Sequence, residues 1–118
     1  MEKILKEIDR IKADPDTFLD KKCIGLYNTT VIFIDDGRKM NLTESYFKDK
    51  NSYFDYSYAG CYVTPGRITT IREIHINALE SSIKNILIEG YFKNDSFVEE
   101  NKELYEKYLP ELRNTYYN

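Results

Sequence analysis

The chain has no tryptophan, one histidine and two cysteines in 118 residues, and no apolar run of the length that a membrane span or a signal peptide requires. Each shortage excludes something. Cys23 and Cys61 stand apart, without a CxxC spacing, so they offer neither a zinc site nor a redox motif and read as reduced, buried thiols. Gly25, Gly37, Gly60, Gly66 and Gly90 are scattered singly, which leaves no phosphate-cradling loop and no dinucleotide fingerprint. With His75 alone, the chain is short of the proton carriers that acid–base or nucleophilic chemistry assembles in sets. The N-terminus, Met1-Glu2-Lys3-Ile4-Leu5-Lys6-Glu7, is charged at every second or third residue, and the expectation is a cytoplasmic chain that does not engage a membrane.

Twenty acids stand against seventeen bases, a formal charge of −3, with both signs interspersed. That balance lacks the electrostatic footprint of a phosphate-backbone binder and disfavours nucleic acid as a partner. Asp35, Asp36 and Asp55 do not follow a calcium-loop spacing, so no metal and no cofactor are expected. Glu99, Glu100, Glu103 and Glu106 are spaced to form one acidic helical face.

What the chain has in excess is tyrosine. Seven of the seventeen residues from Tyr46 to Tyr62 are aromatic, namely Tyr46, Phe47, Tyr53, Phe54, Tyr56, Tyr58 and Tyr62, and they lead into a Thr64-Pro65-Gly66-Arg67 turn. Tyrosine supplies a large, fairly rigid surface with a polar tip, so such a segment is either an aromatic core or a surface that grips a partner.

The periodicities predict an α+β fold in a single domain over residues 1–118: an antiparallel sheet of about five strands, with N-terminal and C-terminal helices packed over one face. Ile4, Leu5, Ile8 and Ile11 follow helical spacing over residues 2–13, and Pro15 ends the pattern. Short apolar, β-branched runs at Cys23 to Leu26 and Thr29 to Ile34, then Asp36-Gly37 and Arg38 to Leu42, read as a three-stranded meander whose second strand is buried on both faces. A fourth strand is expected from Tyr53 to Val63. A fifth is expected from Arg67 to Ile76, where Ile68, Thr70, Ile74 and Ile76 share one face and Thr69, Glu73, His75 and Asn77 the other.

Asn77-Ala78-Leu79-Glu80 has the spacing of a capping box, and Leu79, Ile83, Ile86 and Leu87 then line a helix ahead of Gly90; the rival is a strand over 83–92. Ser96-Phe97-Val98-Glu99 repeats the pattern before an amphipathic helix carrying Phe97, Leu104, Tyr105, Tyr108 and Leu112, which Pro110 ends or kinks.

Parity on the fourth strand puts Phe54, Tyr56, Tyr58 and Tyr62 on one face. A two-residue Pro65-Gly66 loop would set Tyr58 across from Glu73 and Tyr56 across from His75, making an exposed platform with Arg67. A one-residue shift would turn the same aromatics into core. From these features the expected function is a small protein-binding module of the inhibitor, immunity or accessory-factor kind, non-enzymatic, with Tyr53, Tyr56, Tyr58, Tyr62, Arg67, Glu73 and His75 on its contact surface. The alternative is a small enzyme or ligand-binding protein with a pocket around His75, Glu73 and Arg72.

Overall fold

The computed structural model describes residues 1–42, 63–93 and 95–111. Its internal contacts separate two compact units, Glu2–Leu79 and Glu80–Asn118. The expected strand from Tyr53 to Val63 lies outside the described residues, except for Val63, which belongs to no strand.

The first unit opens with helix α1, Glu2–Ala13, as the spacing predicts, and buries Ile4, Ile8 and Ile11. Side chains at i, i+4 and i+7 fall on one helical face, and burying each isoleucine contributes about 1.5–3 kcal/mol. A 3-10 turn, Thr17–Asp20, follows, its start capped by the Asp16 carboxylate, which accepts the Phe18 N–H at 3.0 Å. The expected meander is then present as β1 (Lys22–Tyr27), β2 (Thr30–Phe33) and β3 (Lys39–Asn41). Gly37 turns β2 into β3 at φ +70, where the Phe33 and Gly37 N–H groups donate to the Arg38 and Phe33 carbonyls, both at 2.9 Å.

With a short strand, β4 (Ile68–Thr70), the described residues form an antiparallel sheet of four strands in the order β3-β2-β1-β4. Alternation sends Cys23, Val31 and Phe33 inward, where they join Leu19, Leu42, Val63, Ile71 and Ile74 in one core cluster. The Phe18 ring tilts onto Phe33 with centroids 5.5 Å apart. Gly25 sits where segment 63–67 crosses β1: its N–H donates to the Arg67 carbonyl at 3.1 Å and its carbonyl accepts from the Gly66 N–H at 2.8 Å.

The expected fifth strand is corrected. Only Ile68–Thr70 is extended, and from Ile71 the chain is helix α2, Ile71–Lys93. Period two and period 3.6 compete in this segment, and burial decides for the helix: Ile71, Ile74, His75, Leu79, Ile83 and Leu87 recur at three- and four-residue steps and are all buried. Thr70 caps it, accepting the Glu73 N–H on its hydroxyl at 3.2 Å. Asn77 is therefore a helix-interior residue and not a cap, and the rival strand over 83–92 does not form.

In the second unit α2 runs on to Lys93 and is followed by α3 (Asp95–Glu100) and α4 (Lys102–Tyr108). The single helix expected there is broken at Asn101, whose side-chain amide donates to the Phe97 carbonyl at 2.9 Å. Phe97 meets Tyr105 edge-on, and the Tyr105 hydroxyl donates to the Leu87 carbonyl at 2.5 Å, which ties α4 to α2. No helix among the described residues is long and apolar enough to cross a membrane.

Candidate functional site

Of the expected contact residues, Arg67 and Glu73 come together at the start of α2. The Glu73 carboxylate accepts the Thr69 hydroxyl at 2.6 Å on Oε2, and Arg67 Nη2 lies 3.6 Å from Oε1. Thr70-Ile71-Arg72-Glu73 has the spacing of a capping box, yet Glu73 reaches the Thr69 side chain instead of the cap's own N–H. The carboxylate is thus held in one place on an exposed corner. Ile68, next to Arg67, is 59 % exposed and continues a cross-strand row through Ile24 to Ile32, on the sheet face opposite Cys23, Val31 and Phe33.

The tyrosine segment joins this corner through the chain itself. Val63 follows Tyr62 and is pinned to the end of β1 by its N–H, which donates to the Asn28 carbonyl at 2.7 Å; Arg67 is four residues further on. Tyr53, Tyr56, Tyr58 and Tyr62 themselves lie outside the described residues, as does the question of whether they face core or solvent.

His75 is elsewhere. On a strand, residues two apart share a face, but on a helix they are separated by about 200°, so Glu73 points to solvent while His75 is 2 % exposed within the core stripe. Burial, with the charge of Arg10 adding to it, pushes the imidazole down to about 3. The expectation of a histidine on the polar face of a sheet fails because its strand is a helix.

Arg72, which alternation would place with Ile68, Thr70, Ile74 and Ile76, is committed to structure. Its Nε and Nη2 hold the Asp20 carboxylate at 2.9 and 3.0 Å, and Nη1 donates to the carbonyls of Ile11 and Asp14. The last carbonyls of α1 have no partner within their own helix, and this guanidinium supplies one. Arg72 in turn holds the Asp20 carboxyl below its ordinary range.

Two polar residues that sequence reasoning passes over, Glu7 and Asp20, belong to this description. Glu7 is fully buried on α1, receives Arg10 Nε at 3.1 Å and Nη2 on its Oε1, and has no hydrogen-bond partner on Oε2 among the described residues. A glutamate in an Ile4, Ile8, Ile11 stripe at i, i+3, i+4 and i+7 is the signal that could have marked it. Asp20 gives no local signal at all, because its partner is far along the chain. Cys23 is buried, its thiol donates to the Thr69 carbonyl at 3.7 Å, and burial pushes its pKa up, as expected for an inert packing thiol. Among the described residues no cluster of three or more His, Cys, Asp or Glu is placed to hold a metal ion.

Comparisons with protein-family models, with curated proteins and with solved structures found no match to this chain.

Proposed function

We propose that this chain is a small cytoplasmic protein-binding module of the inhibitor, immunity or accessory-factor kind, acting without catalysis through Tyr53, Tyr56, Tyr58 and Tyr62 together with Arg67 and Glu73. The observation that carries the reading is the exposed Arg67–Glu73 pair beside Ile68, with Arg67 five residues beyond the end of the tyrosine segment. A fixed charge pair, an exposed isoleucine and adjacent tyrosines are the ingredients of a contact patch with an aromatic centre and a polar rim. The alternative, a pocket around His75, Glu73 and Arg72, lacks comparable support: one of the three is in the core, one is on the surface and one caps α1.

Reversing the pair tests the reading. Arg67→Glu and Glu73→Lys, each used as bait beside the unaltered chain in an extract of the source cells, should lose a protein that the unaltered chain enriches. The double reversal should recover part of it. Equal enrichment by all four baits, or none above a blank, contradicts the proposal.

A further inference from the structure

The sheet has a second face. Cys23, Val31 and Phe33 point into the core, so alternation sends Lys22 and Ile24 of β1, Ile32 of β2 with Ile34 just beyond it, Lys39 of β3 and Ile68 of β4 to the other side. The registers set these side chains next to one another. Ile68, Ile24, Ile32 and Lys39 make one cross-strand row, and the Ile34 N–H donates to the Lys22 carbonyl at 3.1 Å, which makes those two residues neighbours in the next row. Ile34 is 49 % exposed and Ile68 more so, while Ile24 and Ile32 are half-buried. Four isoleucines thus form one contiguous apolar patch at the surface.

Charge on this face has a single sign. The four strands contain two charged residues, Lys22 and Lys39, and both stand on it. Neither has an ion-pair partner among the described residues, because the acids that border the sheet are taken: Asp35 by Lys21, Asp36 by Arg38 and Glu73 by Arg67. Lys39 lies across from Ile32 on one side and Lys22 across from Ile34 on the other, so the two cations flank the β2 isoleucines. Two copies packed face to face would bring lysine against lysine. A partner that covers the isoleucines has to place acids beside them instead. Its shape follows from the size of the face: four strands about 4.8 Å apart span roughly 14 Å, the width that one helix of about 10–12 Å diameter covers.

We propose that this face receives an amphipathic helix of a partner protein, with its apolar stripe along Ile32 and Ile34 and acidic side chains on its flanks meeting Lys22 and Lys39. The inference names the partner chemistry of the protein-binding reading and rests on it, but the residues that recognise the helix are not those of the Arg67–Glu73 corner.

The probe is a synthetic helix of about fifteen residues with leucines on one face, glutamates along both flanks, and alanine and glutamine behind; a control peptide has lysine in place of each glutamate. Titrated into the isotope-labelled full chain, the acidic peptide should shift the amide signals of β1, β2 and β4, and its affinity should fall several-fold as salt rises from about 0.01 to 0.15 M. The control should bind at least about tenfold more weakly. Lys22→Glu combined with Lys39→Glu should reverse the preference. Arg67→Ala and Glu73→Ala, which remove the corner and keep the face, should leave the affinity for the acidic peptide within about twofold. The two surfaces therefore fail separately: corner baits that lose nothing while the peptide still binds would leave this face standing. If the double lysine variant does not fold, the comparison of the two peptides on the unaltered chain decides alone. Equal affinity for both peptides, or no shift with either, overturns the proposal, as does displacement of the acidic peptide by an oligothymidylate or a dimer of the unaltered chain held through this face in sedimentation.

Discussion

Arg72 and Asp20 are joined by a two-point ion pair across 52 positions of sequence, and the same guanidinium closes the C-terminal carbonyls of α1. One side chain therefore ties the N-terminal helix, the 3-10 turn and the start of α2 together. Its side chain is largely buried while Asp20 stays mostly in solvent, so the carbonyl contacts carry more of the effect than the ion pair.

Arg72→Ala should lower stability by about 3 kcal/mol in urea unfolding, because several charge-assisted hydrogen bonds are lost and the part-buried carbonyls of Ile11 and Asp14 lose their guanidinium donor. Arg72→Lys should recover little, since an ammonium cannot form a planar fork to a carboxylate and two carbonyls at once. Asp20→Asn should do less harm. Its contribution is present at neutral pH and fades as the pH falls through the depressed carboxyl value, the acid side of the ordinary 3.8.

Two glycines of the sheet are required for different reasons, and substitution separates them. A Cβ on Gly25 would stand 2.5 Å from the Thr64 carbonyl oxygen, so Gly25→Ala forces backbone apart and should cost about 2–3 kcal/mol. Nothing among the described residues lies within 4 Å of a Cβ on Gly37, whose demand is its positive φ. Gly37→Val should cost about 1–2 kcal/mol and Gly37→Asn much less, because asparagine tolerates the left-handed region. Equal losses for Asn and Val at position 37 would contradict the conformational account.

Gly90 lies within α2, where alanine ordinarily stabilises by about 1 kcal/mol. Here the Phe97 ring occupies the space, with Cδ1 and Cε1 against the position of a Cβ. Gly90→Ala should therefore be destabilising by about 1 kcal/mol net, as the displaced ring loses its edge contact with Tyr105. In a Phe97→Ala background the sign should reverse. Thermal unfolding of the four chains measures both effects.

The elements legible in the sequence are those where one period acts alone. Residues 2–13 alternate charge and isoleucine at helical steps only, and Asp36-Gly37 admits one turn, so α1 and the meander are where the pattern puts them. Arg67 to Asn77 is different, because Ile68, Thr70, Ile74 and Ile76 suit a strand while Ile71, Ile74, His75, Ala78 and Leu79 suit a helix. The β-branched content argues for the first, and the Thr70-Ile71-Arg72-Glu73 box, with a buried stripe running on to Leu87, makes it the second. That single change moves His75 from surface to core and separates it from Glu73. Arg67 and Glu73 remain neighbours because Glu73 falls in the first turn of α2, within reach of the strand end. The Arg72–Asp20 pair was beyond reading, since long-range partners leave no spacing to find.

The central claim is that the chain works as a binding surface whose aromatic part is Tyr56 and Tyr58. The measurement that bears on it most directly pairs unfolding with affinity for the Tyr56→Ser, Tyr58→Ser double variant, using the partner identified by the charge-reversal baits. A platform predicts a small change in stability and a loss of about 2 kcal/mol or more in binding, roughly thirtyfold in Kd by calorimetry. A stability loss above about 4 kcal/mol, the mark of large aromatics taken from a core, with binding per folded molecule unchanged, would contradict it.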